Sequence, residues 1–367
     1  TEMERWNKAK QTYDKPVVIR TQAEAEALEK KKAPGKKTWI FKAENVRDFA
    51  WTSSRKFIWD AMAVKLAGKD VMAMSYYGKE GNPLWEQYST RVVAHTLKSY
   101  SAHSFDYPYP VAISVEASNG MEYPMICFNY GRPDADGTYS DAIKYGMISV
   151  IIHEVGHNFF PMIVNSDERQ WTWMDEGLNT FMQFMAEQEW DRNYPSRRGP
   201  AHKIVPYMRS EKHLLEPIMT NSENIIQFGA NAYAKPATAL NILRETVMGR
   251  ELFDFAFKEY SRRWMFKHPT PDDFFRTLED ASAVDLDWFW RGWFYGTEPV
   301  DISIENVSWY KLENRTPAQK KAAAKEEFDR EETYISKEFN KTDVAQTVVE
   351  ADPATRDFYN SYNPFTV

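Results

Sequence analysis

The stretch IKYGMISVIIHEVGHNFF, residues 143–160, decides the reading of this chain. It holds His153-Glu154-Val155-Gly156-His157, and nineteen residues past His157 stands Glu176. On a helix, residues four apart share one face, so both imidazoles can reach a single metal ion. Two neutral histidines and one carboxylate leave a fourth position open for water, which is the arrangement of a catalytic zinc rather than a structural one. Glu154 follows the first histidine directly and can reach that water as a general base. The sequence therefore predicts His153, His157 and Glu176 as ligands of one Zn2+ per chain, with Glu154 as a catalytic residue.

The flanking sequence suits such a site. The stretch lacks proline, and Ile148, Ile151, Ile152, Val155 and Phe159 can enter a core while the histidines face a cleft. Glu176 falls in a second expected helix, residues 174–190, with Met174, Leu178, Met182 and Met185 on its apolar side. Gly177 is expected to let that helix approach the first closely. Pro161 and the polar run Asn165-Ser166-Asp167-Glu168-Arg169 lie in the loop between them. Asp175 has two readings: a group that orients a ligand, or a helix N-cap.

A resemblance becomes specific at these residues. The histidine motif, with Glu176 inside Trp173-Met174-Asp175-Glu176-Gly177, resembles the gluzincin zinc aminopeptidases, the family of aminopeptidase N and the leukotriene epoxide hydrolases. Asn119-Gly120-Met121-Glu122-Tyr123 resembles that family's Gly-x-Met-Glu-Asn exopeptidase motif, with Asn119 and Tyr123 as departures. Tyr233 in Ala232-Tyr233-Ala234-Lys235 resembles the segment carrying the catalytic tyrosine, and residues 45–51 resemble the start of the catalytic domain. The likeness covers about residues 38–300. It implies Gly120, Met121 and Glu122 as substrate-binding residues, with Glu122 holding the substrate's α-amine. It also implies Tyr233 as a donor to the oxyanion, a peptide as substrate, and an amino-terminal β domain missing from this chain. On that reading the chain is a processed or excised catalytic fragment.

Composition agrees with a globular enzyme. The chain has 367 residues, 43% of them hydrophobic and 27% charged, enough for one large domain or two. A net charge of −7 speaks against nucleic acid as a partner. A single cysteine, Cys127, excludes an intramolecular disulfide and a thiolate-rich zinc site; it is expected to pack as a small hydrophobe. No apolar run reaches the length of a membrane span, and the chain opens on charged residues rather than a signal peptide. Localisation stays open, with a lean towards an exported or periplasmic protein.

The expected organisation is a charged segment over 1–37, with a short helix over 24–32, then a catalytic domain over 38–300, then a strand and polar extension over 301–367. Strands are expected over 37–42, 71–77, 111–116 and 125–130, with a helix over 84–105. The strand over 125–130 lies beside Glu122 and is expected to be able to pair with an extended substrate. Helices are expected over 234–247, 251–264, 271–282, 285–295 and 317–333, and a strand over 300–309. No internal repeat is visible. Sheet first, helices later and metal between predict an α+β fold: a thermolysin-like, two-lobed zinc metallopeptidase domain with a small mixed sheet lobe and a helical lobe. His95, His103, His202, His213 and His268 lack ligand spacing and are expected to be structural or exposed. The run Trp288-Phe289-Trp290-Arg291-Gly292-Trp293-Phe294-Tyr295 is expected to pack rather than bind.

The function expected is a zinc aminopeptidase. The alternatives are an endopeptidase or epoxide hydrolase on the same scaffold, or a catalytically silent peptide-binding module. Glu122 favours a free-amine substrate, and Glu154 argues against a site that only binds.

Overall fold

Alternation along two long strands sets the layers. Ile58, Met62, Val64 and Leu66 of β2 (Ile58–Leu66), with Val71, Ala73 and Tyr77 of β3 (Lys69–Tyr77), are buried in the main core. Ala61, Ala63, Met72 and Met74 form a smaller core on the opposite face. The computed structural model describes residues 1–32, 34–299, 305–309, 314–330 and 333–362.

In chain order the first elements are α1 (Glu2–Ala9), β1 (Val17–Arg20), α2 (Gln22–Glu29), β2, β3 and α3 (Leu84–His103). Next come β4 (Val111–Glu116), β5 (Met121–Tyr123), β6 (Ile126–Asn129), α4 (Asp141–Gly156) and α5 (Glu176–Trp190). The sheet is mixed, in the order β1-β2-β3-β4-β6-β5. β3, β4 and β6 are parallel, and β1, β2 and β5 are antiparallel to their neighbours. α3 covers one face, with α4 and α5 stacked behind it, and α1 lies on the other face, where Trp6 packs on Trp59. The chain is thus α+β, with sheet first and helices after.

Several expectations need correction. Residues 37–42 form no strand and pair with none among the described residues; Trp39, Ile40 and Phe41 are exposed. Residues 1–37 are not a separate charged segment, because β1 pairs with β2 and buries Ile19 and Ala9. The strand at 125–130 exists as β6, but β6 is internal, bonded to β4 and β5 on its two sides. It has no free edge for a substrate; that edge belongs to β5. The strand expected over 300–309 lies partly outside the described residues, and 305–309 form none. The helix at 317–333 is observed as Pro317–Asp329.

The carboxyl-terminal residues wrap back over α3, α4 and α5. The Lys144 Nζ, on the first turns of α4, donates to Asp357 Oδ1 at 2.8 Å, with the lysine buried and the aspartate partly so. Arg192 makes two bonds to Glu350, at 2.8 and 2.9 Å. The aromatic run at 288–295 packs only in part: Trp290 stacks on Phe275 and Phe294 meets Trp173 edge-on, whereas Trp288 and Tyr295 are exposed. Among the described residues no helix is long and apolar enough to cross a membrane.

Candidate metal centre and active-site cleft

The site is built where α4 ends. Ser140 caps the start of α4, its hydroxyl accepting from Ile143 N. The helix then runs through the buried Ile148, Ile151, Ile152 and Val155 to Gly156. Past His157 the chain leaves helical geometry at Phe160 (φ −134°, ψ 110°), just before Pro161, whose ring cannot continue the helix. The turn brings the Phe160 carbonyl back to His157 Nδ1 at 2.9 Å.

α5 meets α4 closely because Gly156 lacks a side chain. A Cβ there would lie 2.3 Å from Asn179 Oδ1 and 2.4 Å from Tyr100 Oη. Asn179 in turn donates to the His153 carbonyl at 2.8 Å. Gly177 does not serve this approach, contrary to expectation. It faces the Tyr233 segment instead, where a Cβ would lie 2.5 Å from Pro236 Cγ.

His153, His157 and Glu176 converge. His153 Nε2 is 2.9 Å from Glu176 Oε2 and 3.0 Å from His157 Nε2, and His157 Nε2 is 3.3 Å from the same carboxylate oxygen. Both outer ring nitrogens already have acceptors. His153 Nδ1 is 2.9 Å from Gln183 Oε1, and Gln183 is oriented by its own amide, which donates to Glu187 at 2.7 Å. His157 Nδ1 lies between the Phe160 carbonyl and Asp175 Oδ1, the latter at 3.0 Å. The Nδ1 protons are thus committed, which leaves both Nε2 atoms as lone pairs facing each other and a carboxylate. Three acceptors so placed repel one another unless a cation lies between them. Tetrahedral bonds of about 2.0–2.1 Å would put such atoms about 3.3 Å apart, close to what is seen.

The electrostatics point the same way. Burial pulls His157 down, but Glu122, Asp175 and Glu176 outweigh it and lift its pKa well above the ordinary value. His153 is pulled down by burial and by His157. Burial would raise Glu176, yet the two imidazoles hold it well below the usual carboxylate range. Glu154 is pushed up to about 8 by burial, opposed by His157 and reinforced by Glu122 and Glu176. Asp175 is raised well above its ordinary value by burial and by Glu176. Four carboxylates thus crowd two imidazoles, a surplus of negative charge that a divalent cation would neutralise.

The residues expected to hold metal, act as base or bind substrate gather around this cleft. Glu154 has a buried Oε2 with no hydrogen-bond partner among the described residues. Its Oε1 leaves no room for a Cβ at Gly120, which would sit 2.3 Å away. Gly120, Met121 and Glu122 line a cavity of about 860 Å3 together with His153, Glu154, Glu176 and Tyr233. The Glu122 carboxylate, on edge strand β5, comes within 4.8 Å of ligand atoms of His157 and Asp175. The Tyr233 hydroxyl donates to Glu176 Oε1 at 2.6 Å, and its ring lies on His153 with centroids 5.7 Å apart. Of the two departures, Asn119 is exposed, and Tyr123 packs edge-on against Phe128.

Sequence reading missed Gln183, which lies seven residues, or two helical turns, beyond Glu176 on the same face; that spacing was the available signal. It also missed Arg198, which sits in a loop and shows no pattern. For Asp175 the capping alternative fails, since its side chain makes no cap bond to α5 and turns to His157. Among the other histidines, His95 Nε2 donates to the Ala186 carbonyl, His103 pairs with Glu189 and His268 meets Asn165. Cys127 is buried against Ile113, and its thiol is pushed up by burial.

Comparison with known proteins agrees with this geometry. Residues 88–293 match the peptidase family M1 domain, over half of the chain, and the chain belongs to that family. It is 24% identical over 256 residues to the alanine/arginine aminopeptidase of Saccharomyces cerevisiae, covering 64% of this chain and 28% of that one. It is 27% identical over 168 residues to the glutamyl aminopeptidase of Sus scrofa, covering 43% and 17%. The chain spans about a quarter of the length of the first curated relatives it matches. Among solved structures, the M1 zinc metallopeptidase of Deinococcus radiodurans has the same fold over 67% of this chain and 53% of its own, with a TM-score of 0.51 at 18% identity.

Proposed function

We propose that this chain is the catalytic part of a zinc aminopeptidase that hydrolyses the amino-terminal bond of peptides. One observation carries the reading: three acceptor atoms of His153, His157 and Glu176 meet at 2.9–3.3 Å, with both outer ring nitrogens already bonded. That donor set suits zinc, and the relatives' names agree. Zinc, when bound, would supply the charge that makes water nucleophilic at neutral pH and polarises the scissile carbonyl.

The residues of the chain take the other roles. Glu154 accepts the water proton and returns it to the leaving amine; its unpartnered Oε2 is the free acceptor this needs. Tyr233 gives its phenolic hydrogen bond to the oxyanion, exchanging Glu176 for it as charge develops. Glu122 binds the protonated α-amine, with Gly120 and Met121 flanking the substrate backbone, which limits cutting to the first bond. The cleft lies between the sheet and the helices that follow α4, which supports a thermolysin-like two-lobed arrangement. The unit runs over residues 38–300, with β1 added to its sheet.

The test compares peptides with free and acetylated amino termini, with zinc and after chelation. Free-amine peptides should be cut, acetylated ones should not, and chelation should abolish the activity. Equal cleavage of both would replace this reading with an endopeptidase. Zinc binding with no cleavage of any peptide would leave only a binding module.

A further inference from the structure

Arg198 is a cation with nothing of its own to neutralise. It is half-buried in the wall of the same cavity, next to the exposed Arg197, and makes no hydrogen bond or ion pair among the described residues. Its guanidinium lies over the Tyr233 ring, 4.4 Å from the centroid. The nearest acids are already committed: Glu176 to the two histidines and Tyr233, Glu187 to Gln183, Ser149 and Ser196. Burial draws Arg198 below its ordinary pKa, offset in part by Tyr233, Glu176 and Glu187. A guanidinium partly withdrawn from water without an anion is costly, and its planar fork matches a carboxylate in two parallel bonds.

Its position relative to Glu122 gives the anion a place. Glu122 stands on the His157 side of the metal centre. Arg198 stands on the other side, one aromatic ring beyond His153. The cavity therefore has an acidic pole and a basic pole with the metal ligands between them. A peptide whose amine is at Glu122 runs its leaving portion towards Arg198. An extended chain advances about 3.3–3.6 Å per residue, so an anion one or two residues past the scissile bond comes within reach.

We propose that Arg198 recognises a substrate carboxylate on the leaving-group side, so that the enzyme prefers di- and tripeptides with a free carboxyl terminus or peptides with an acidic residue just after the scissile bond. The orientation rests on the aminopeptidase reading; recognition of the anion by the Arg198 guanidinium does not.

The test has a binding arm and a kinetic arm, both on the full zinc-loaded chain. In the Glu154→Gln variant, calorimetry measures binding of Ala-Ala-Ala, its carboxyl amide, and Ala-Asp-Ala amide. The free acid should bind about tenfold or more tightly than the amide, the scale of one charge-assisted pair. If the acidic side chain is an equal source, Ala-Asp-Ala amide should regain that factor; if it does not, the terminal carboxylate is the ligand. In the active chain, kcat/KM should show the same preference, expressed in KM. Arg198→Met should bring the acid-to-amide ratio close to one, and Arg198→Lys should keep part of it. Selectivity in binding with no cleavage anywhere would sink the aminopeptidase reading and leave Arg198 as an anion site. Equal binding of acid and amide by the unaltered Arg198 protein would overturn the proposal. So would an Arg198→Met variant that keeps the ratio, leaving Arg198 only as support for Tyr233.

Discussion

Gly177→Ala tests whether the site depends on how closely the Tyr233 segment packs against α5. A Cβ at residue 177 would lie 2.5 Å from Pro236 Cγ, 2.8 Å from Pro236 Cβ and 3.0 Å from the Ala232 carbonyl oxygen. Ordinary contact between such atoms is about 3.5 Å or more, so the two backbones must separate by about 1 Å. Ala232 and Pro236 flank Tyr233, so the same movement carries the phenol outward. Its bond to Glu176, now 2.6 Å, would lengthen beyond hydrogen-bond range. Overpacking of this kind costs about 1–3 kcal/mol of stability. A displacement of about 1 Å in a catalytic group costs up to about a hundredfold in turnover. The assay first measures zinc content, to show that the ligands still hold metal, then kcat and KM on a free-amine peptide. The same substitution is then made in Tyr233→Phe. If Gly177→Ala acts through the phenol, it should cost little more once the hydroxyl is gone, so the two losses should not multiply. Full turnover in Gly177→Ala, or losses that multiply freely with Tyr233→Phe, would refute the reasoning.

Three further outcomes are expected. Glu154→Gln should keep about one zinc per chain while turnover falls by about a hundredfold or more; near-normal turnover would mean another group activates the water. Gln183→Ala removes the acceptor that fixes the His153 ring and should weaken zinc about ten- to a hundredfold in competition with a chelator; unchanged affinity would show that ring orientation is set elsewhere. Asp60 is buried under α3, accepts from Tyr77 at 2.6 Å and from Thr90, and has its pKa pushed up by burial to about 7. Its folded pKa exceeds the unfolded value of about 3.9, so its contribution is full below about pH 4 and is lost as pH rises through about 7. Asp60→Asn should flatten the fall in unfolding free energy, measured by urea titration, between pH 5 and 8 by an amount on the order of 2–4 kcal/mol; parallel curves for the two proteins would show that Asp60 does not titrate there.

What could be read from the sequence was what is local. The histidine spacing, the nearby Glu176 and the helical period of α4 and α5 lie within one short segment, so ligands and base followed from position alone. Glu122 and Tyr233 carry no local signature and came from resemblance; their place depends on β5 and on a segment far along the chain. β2 was missed because Asp60 interrupts its buried face, and only Thr90 and Tyr77, from other elements, make that carboxylate tolerable. Residues 37–42 have strand composition but no neighbour to pair with, and pairing is a tertiary fact. β1 was hidden in a charged stretch, where four residues suffice once β2 offers its edge. Gly177 was expected to face α4 but faces the Tyr233 segment, while Gly156, which does meet α5, was not singled out; which neighbour each glycine meets depends on packing that no spacing rule encodes.

The bond between Lys144 and Asp357 links the order of synthesis to the order in which the site is finished. Lys144 belongs to the helix that carries both histidines, and its ammonium is buried against Asp357, 213 residues later. A chain made from its amino end exposes the histidines about two hundred residues before Asp357. Until Asp357 arrives, the start of that helix would have to bury the ammonium against the more distant and half-exposed Asp141 alone, 4.0 Å away, which is costly enough to favour an open start. Maturation of the metal centre is thus expected to wait until Asp357 has been made, which separates synthesis of the ligands from completion of the helix that carries two of them. Hydrogen exchange on ribosome-held chains of increasing length should show residues 141–146 becoming protected only once Asp357 has emerged; earlier protection would remove the link.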